Sequence, residues 1–165
     1  MSKQTKTDMI GHNIKMEIHY LDPKSLKDYK RQFRKPNKNQ IKKSKRLLEE
    51  FGFPIPAVID DNLTIVIGWH LVEAARQLKW KVIPCVRLNH LTDEQIRLLR
   101  TAFDRVAEDA DWDKQALAEE FHELQLMMPD IDLTLTMFEV EEINLIMDLD
   151  GVGNSDALDA IPEVD

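Results

Sequence analysis

The run Leu63–Ile67 is apolar and rich in branched side chains, it ends at Gly68, and Trp69, His70 and Leu71 then open a segment of helical periodicity. A strand that turns at a glycine into a helix brings free backbone N–H groups to one point, where a small anion can be held. Gly68, Trp69 and His70 are therefore the first candidate site. The second chemical feature is cationic. Lys24, Lys27, Lys30, Arg31, Arg34, Lys35, Lys38, Lys42, Lys43, Lys45 and Arg46 crowd one short stretch, with Asp28 its only acid and with Tyr29 and Phe33 interleaved. Such density suits either a solvated helix face or a surface that contacts phosphates, and the residues by themselves leave both readings open.

Other reactive residues point to less. His12, His19, His70, His90 and His122 show no ligand spacing with one another or with Cys85, so no metal site is expected. Asp104, Glu108, Asp109, Asp111 and Asp113 cluster around Trp112. Carboxylates so grouped can hold magnesium in a nuclease, but a helix end, a loop and an N-cap call for the same residues. Cys85 stands in an apolar stretch and reads as a small buried hydrophobe. A large aromatic beside a glycine turn, as Trp69 is, reads as a packing plug or as a stacking surface for a base.

These residues need a scaffold, and 165 residues with 43% apolar content suffice for one main core with a helical extension. The net charge of −8 is unevenly spread. Residues 1–50 hold 14 Lys/Arg against 6 Asp/Glu, a balance of +8, whereas residues 51–165 hold 8 against 24, a balance of −16. That asymmetry suits a basic surface for a polyanion beside an acidic segment, and the overall acidity argues against indiscriminate DNA binding by the whole molecule. With one cysteine, no apolar run near the roughly 18 residues of a membrane span, and a polar N-terminus, a cytoplasmic protein without membrane contact is expected.

The patterning predicts a flexible tail over residues 1–15 and a strand over Met16–Leu21. A helix follows Pro36, with Ile41, Leu47, Leu48 and Phe51 inward and Gly52 as its stop. Ile55–Ile59 and Leu63–Ile67 should pair antiparallel about Asp60-Asp61-Asn62. A helix over 69–79 lays Leu71, Ala74, Ala75 and Leu78 on the sheet. Lys81–Leu88 returns as a strand, where Pro84 implies an edge or a bulge, and the strand–helix–strand crossover favours a parallel pair. Capping boxes at Thr92/Gln95 and Thr136/Glu139 and an N-cap near Asp113 mark three further helices. The expected organisation is a tail (1–15), an α/β (α+β) core (16–90), a helical extension (91–149) and a disordered acidic tail (150–165).

Several stretches in this order carry a resemblance: Tyr29–Arg34 (YKRQFR), Gln40-Ile41, Glu50–Phe53 (EFGF), the hairpin from Pro56 to Ile67, Gly68–Ala75 (GWHLVEAA), Val82–Leu88 (VIPCVRL), His90–Thr92 (HLT) and Thr101–Trp112 (TAFDRVAEDADW). Over roughly residues 16–148 the chain resembles the ParB/sulfiredoxin superfamily, specifically the ParB N-terminal-like (ParB-like nuclease) domains of phages, plasmids and methylase-associated genes. The resemblance implies a small mixed sheet whose strand-to-helix junction binds nucleotide phosphates, CTP in chromosome-partition members. It also implies that Arg34, matching the arginine of the family's loop, approaches that pocket. In those relatives the junction reads Gly-x-x-Arg or Gly-x-His-Arg; here it is Gly68-Trp69-His70-Leu71. The charge-assisted bond that arginine would make to phosphate, and leucine does not, is worth roughly 1.5–3 kcal/mol, or one to two orders of magnitude in affinity. Weak nucleotide binding or none is expected. Sulfiredoxin chemistry is excluded, because the nucleophilic cysteine that precedes the histidine there is Trp69 here.

Three functions follow as expectations. The first is a DNA-associated accessory protein of a mobile element, non-catalytic, touching DNA or a DNA-bound protein through Lys30, Arg31, Arg34, Lys35, Lys38, Lys42, Lys43, Lys45 and Arg46, alongside a DNA methylase or partition-type partner and capable of homo-oligomerising. The second is a nucleotide-hydrolysing or nuclease enzyme that takes CTP or ATP with magnesium. The third is a regulatory module whose acidic helices, from Thr92 to Leu149, bind a basic protein or imitate DNA.

Overall fold

The chain alternates short branched runs with amphipathic helices, and the computed structural model, which describes residues 16–31 and 37–153, resolves that alternation into a mixed α/β architecture. The tail predicted over 1–15, the candidate residues Arg34 and Lys35, and the chain beyond Gly153 lie outside the described residues. Two compact units divide the chain, the first ending at Arg105 and the second starting at Val106.

In the first unit, β1 (Ile18–Leu21) leads into a 3-10 turn at Pro23–Ser25, and α1 (Lys38–Phe51), β2 (Ala57–Ile59), β3 (Ile65–Ile67), α2 (Trp69–Gln77) and β4 (Ile83–Arg87) follow, then α3 (Asp93–Glu108), whose last residues fall past the boundary between the units. The sheet order is β1-β4-β2-β3, antiparallel except for the parallel β2/β4 pair. The hairpin turns where expected: the Asp60 carboxylate accepts from the Asn62 and Thr64 amides at 2.8 and 2.7 Å, and Leu63 takes a positive φ of 63°. This Asx-type geometry shortens β3 relative to the predicted strand.

Two expectations are corrected by the sheet. The parallel partner of β4 is β2, not β3, the strand that feeds the helix. The chain at Lys27 bonds the outer side of β3, donating to the Leu63 carbonyl at 2.8 Å and accepting from the Ile65 amide at 2.9 Å, so the remaining edge for β4 is that of β2. Nor is β4 an edge strand. Its pairing with β2 starts at Cys85, so Pro84 is aligned only with Tyr20 of β1, ahead of the β2 ladder, and a proline at that end of a strand is tolerated.

Side chains alternate between the two sheet faces with the strand period of 2. Ile59, Ile65, Ile83 and Cys85 join Leu26, Leu48, Leu71, Val72, Ala74 and Ala75 in the main core, while Val58, Val66 and Leu88 meet Leu91, Ile96 and Leu99 in another cluster, which Ile67 at the end of β3 also joins, out of alternation. α1 buries Ile41 and Leu48 as predicted, but Phe51 is 64% exposed and Ser44 sits in the buried stripe, its hydroxyl donating to the Gln40 carbonyl at 2.8 Å. Gly52 ends α1 at φ 75°, a left-handed value that suits glycine. The Thr92/Gln95 capping box forms reciprocally, at 2.9 and 3.3 Å. The predicted α3 stripe is buried only in its first turns: Ile96 is buried and Leu99 packs beside it, whereas Phe103 and Val106 are exposed.

In the second unit, α4 (Lys114–Met127), a 3-10 turn at Leu133–Thr136 and α5 (Val140–Gly153) enclose Ala118, Phe121, Leu133, Ile143 and Ile146. Asp113 caps α4, accepting from the Gln115 and Ala116 amides at 3.1 Å each. The cap of α5 differs from the predicted box. Met137 adopts φ 69°, the Thr136 hydroxyl turns back to the Leu133 carbonyl, and the Glu139 amide donates instead to the Glu142 carboxylate at 2.8 Å. Phe138 is edge-on to both Trp112 and Phe121, with centroids 5.2 and 5.9 Å apart. None of the described helices is long and apolar enough to cross a membrane.

Candidate functional site

Gly68 caps α2 with φ 91° and ψ 19°, so the turn from β3 into α2 is left-handed. A Cβ built there would lie 3.6 Å from the Ala57 Cα, an ordinary contact; the backbone angle, not crowding, is what calls for glycine. The Gly68 carbonyl accepts from the Leu71 and Val72 amides at 3.0 and 3.1 Å, which leaves the Trp69 and His70 amides ahead of the first helical bond. The backbone donors of an anion site are thus in place.

The side chains at this junction are less suited to phosphate. Leu71, where the resemblance implies an arginine, is 4% exposed and belongs to the main core. Trp69 packs against the same core, and its indole N–H is buried with no partner among the described residues, an arrangement of packing rather than of base stacking. Burial lowers the His70 pKa from the ordinary 6.5, and the nearby Asp104 carboxylate offsets only part of that effect. The imidazole is therefore neutral at neutral pH. These side chains bring no charge to a nucleoside triphosphate or its magnesium ion, so among the described residues they do not by themselves fit that ligand.

A pH dependence follows from His70. Because its folded pKa lies below its unfolded value, the unfolded chain takes up the proton first as the pH falls through about 6.5, and stability present above that pH is lost until the folded pKa is reached. Melting curves between pH 7.5 and 5.5 are expected to show this decline in the parent protein and a shallower one in His70→Gln; identical slopes would remove His70 as its source.

The cationic run is organised by α1 and by a residue that sequence reasoning did not single out. Arg76 on α2 donates from Nε to the Pro23 carbonyl at 2.9 Å, from Nη2 to the Leu26 carbonyl at 2.7 Å, and from Nη1 to the Asp28 carboxylate at 2.8 Å, with Glu73 at 3.4 Å. The only acid of the run is thereby committed to Arg76, and the loop entering the run is tied to α2. A lone Asp28 among cations is the sequence signal that points to such a partner. Arg100 on α3 was missed as well. Its guanidinium lies 3.9 Å from the centre of the Tyr29 ring, so that face of Tyr29 is covered rather than open to a base.

Beyond that loop, Lys30 and Arg31 are exposed, and α1 starts at the Asn37 cap. Lys38, Lys42 and Lys45 recur at helical spacing and line a hollow of about 200 Å³ with Ile41 and with Gln77 of α2, whereas Lys43 and Arg46 are not among its lining residues. Gln77 closes α2 and Gly68 opens it, so the hollow and the junction stand about 13 Å apart along the helix at 1.5 Å per residue. The structure separates the two candidate sites. Charge along α1 also runs against its dipole: no acid occupies the first turn, no base the last, and Lys38 and Glu49-Glu50 stand at the ends that disfavour them, at about 0.3–1 kcal/mol each.

Cys85 is buried in β4, with its thiol pushed up to about 11 by desolvation, as befits a core side chain rather than a nucleophile. Among the described residues no group of three or more His, Cys, Asp or Glu side chains is placed to hold a metal ion.

Comparison with known proteins joins these observations. No protein-family model matches the chain. The ParB-like nuclease domain-containing protein YnaK of Escherichia coli (strain K12) is 32% identical over 81 residues, covering 49% of this chain and 93% of that protein. The C-terminally truncated chromosome-partitioning protein ParB from Caulobacter crescentus, complexed with CTP-gamma-S, superposes with a TM-score of 0.67 at 16% identity, covering 87% of this chain and 88% of that one. Sulfiredoxin from Arabidopsis thaliana covers 49% of this chain and 93% of its own at 21% identity, with a TM-score of 0.42. The likeness to ParB bears on fold alone. With a four-stranded mixed sheet in the order β1-β4-β2-β3, the Gly68 junction opening α2, and a relative that is matched over nearly its whole length, this chain belongs to the ParB-like nuclease domain family.

Proposed function

We propose that this protein is a DNA-associated accessory protein of a mobile element, of phage or plasmid type, which acts in the cytoplasm without catalysis and contacts nucleic acid through the basic region from Lys30 to Arg46. The observation that carries this reading is the placement of Lys38, Lys42 and Lys45 around one hollow on α1, with Lys30 and Arg31 exposed before it and the run's only acid held by Arg76. Membership of a ParB-like family, and the likeness to a chromosome-partitioning protein, support DNA as the polyanion. Homo-oligomers and a DNA methylase or partition-type partner complete the proposal, with the neighbouring genes as its simplest check.

Counterion release supplies the direct test, since each phosphate neutralised by a cation contributes about −0.9 to the slope of log affinity against log salt. Duplex DNA is expected to bind at low salt and to be released steeply as salt rises. Charge reversal of Lys30, Arg31, Lys38 and Lys42 together should flatten that slope by about 3–4 and weaken low-salt binding more than a hundredfold. No binding at low salt, or binding untouched by the reversal, would defeat the proposal. Calorimetry with CTP and ATP in the presence of magnesium tests the enzymatic alternative at Gly68, Trp69, His70 and Arg34: binding heat that disappears on substituting Gly68 or His70 would favour it.

A further inference from the structure

We infer that the hollow between α1 and the end of α2 is a discrete seat for one phosphate group of a nucleic-acid backbone, separate from the Gly68 junction. This deepens the DNA-binding reading above and rests on it. A merely solvated lysine face would be convex and would have no partner element. Here Lys38, Lys42 and Lys45 recur along one side of α1 and surround a concavity of about 200 Å³, with the buried Ile41 and Gln77 from α2 completing its lining. The Gln77 side-chain N–H is already engaged by the Glu73 carboxylate at 3.0 Å, which fixes the amide at the rim of the hollow.

The charge pattern of α1 points the same way. Helix stability favours acids at the first turn and bases at the last, and α1 has neither. Lys38 opposes the helix dipole from the first turn, Lys42 and Lys45 follow one and two turns on, and an anion among them relieves their mutual repulsion. Chemistry selects the ligand class. The hollow is open, its apolar lining is Ile41 together with the lysine stems, and every charged residue that lines it is cationic, so its charge selects an anion of the phosphate class. Lysines act here as point charges around a phosphate, without the bidentate geometry that arginine would impose. A backbone phosphate is then read without sequence information, as a contact that sets position.

The test uses the full chain with inorganic phosphate as the probe, against chloride at matched ionic strength. Phosphate is expected to raise the melting temperature by a few degrees and to shift the amide resonances of Ile41 and Gln77. Two variants should abolish both effects: the pair Lys42→Gln/Lys45→Gln, which removes cations, and Gln77→Glu, which adds a carboxylate and leaves every lysine in place. Melting in chloride confirms that each variant is folded. With duplex DNA, the lysine pair should lower the salt slope by about 2. A phosphate response that persists in both variants would overturn the seat, and DNA binding that persists beside it would leave the broader reading intact on Lys30 and Arg31. A phosphate response abolished by the variants, in a protein that binds no duplex at low salt, would uphold the seat and overturn DNA as the source of its phosphate.

Discussion

Replacing Arg76 by alanine is expected to lower the stability of the first unit by about 3 kcal/mol, read as a fall in the urea midpoint with little change in slope. The Arg76 side chain is only 17% exposed and makes three bonds of 2.7–2.9 Å, two of them to backbone carbonyls of the loop between β1 and α1. Each such bond to a charged donor contributes about 1.5–3 kcal/mol; shared partners make the three less than additive, hence the lower total. Arg76→Lys should restore little, because a single ammonium cannot reach both carbonyls and a carboxylate as a planar fork does. Asp28→Ala should cost about 1 kcal/mol or less, since Asp28 is 46% exposed and that ion pair is screened by solvent. If Arg76→Ala melts within about 0.5 kcal/mol of the parent, the loop is held by something else. The same substitution should also weaken DNA binding, because it frees the segment that presents Lys30 and Arg31.

Leu71→Arg, which introduces the arginine that the family resemblance implies at this position, should not create phosphate binding; it should destabilise the fold by about 3–5 kcal/mol. Leu71 is among the core residues, with Leu26, Val72 and Ile65 in the same cluster, and a guanidinium there would have to shed its water without an acid to meet it. The result to look for is a lower melting temperature together with absent or unchanged heat of CTP binding. A variant as stable as the parent that has gained nucleotide affinity would mean that this position can turn outward, and the view of Leu71 as a core residue would be wrong. The substitution thus separates two meanings of the departure from the family: a missing donor in an otherwise intact site, or a position given over to packing.

Much of the architecture was legible because it depends on local chemistry. The hairpin about Asp60, the glycine stop at Gly52, the glycine start at Gly68, the Thr92/Gln95 box and the Asp113 cap are each decided by a few neighbouring residues, through a side chain that bonds its own backbone or a glycine that takes a positive φ, and these stand where the residue types placed them. Readings that failed did so where a distant element had the deciding role. Pro84 suggests an edge to anyone who knows only its own strand, yet β4 lies inside the sheet because β2 pairs with it from Cys85 onward. Phe51 and Phe103 fit helical stripes but are exposed, because a stripe is buried only where another element covers it. Thr136 had a capping sequence, but a left-handed Met137 moved the cap to Glu139, ahead of Val140.

The candidate sites divide in the same way. Composition alone determined that cations gather before residue 50 and that a glycine opens a helix after a strand, since charge count and turn chemistry are properties of the chain. Only the tertiary structure decided that Leu71 points into the core, that Arg100 covers Tyr29, that Arg76 takes the one acid of the basic run, and that Lys38, Lys42 and Lys45 meet Gln77 around a hollow at the far end of α2 from Gly68. The physical reason is that helical periodicity specifies which residues share a face, whereas packing of α1 on α2 specifies what that face meets, and a binding site needs both.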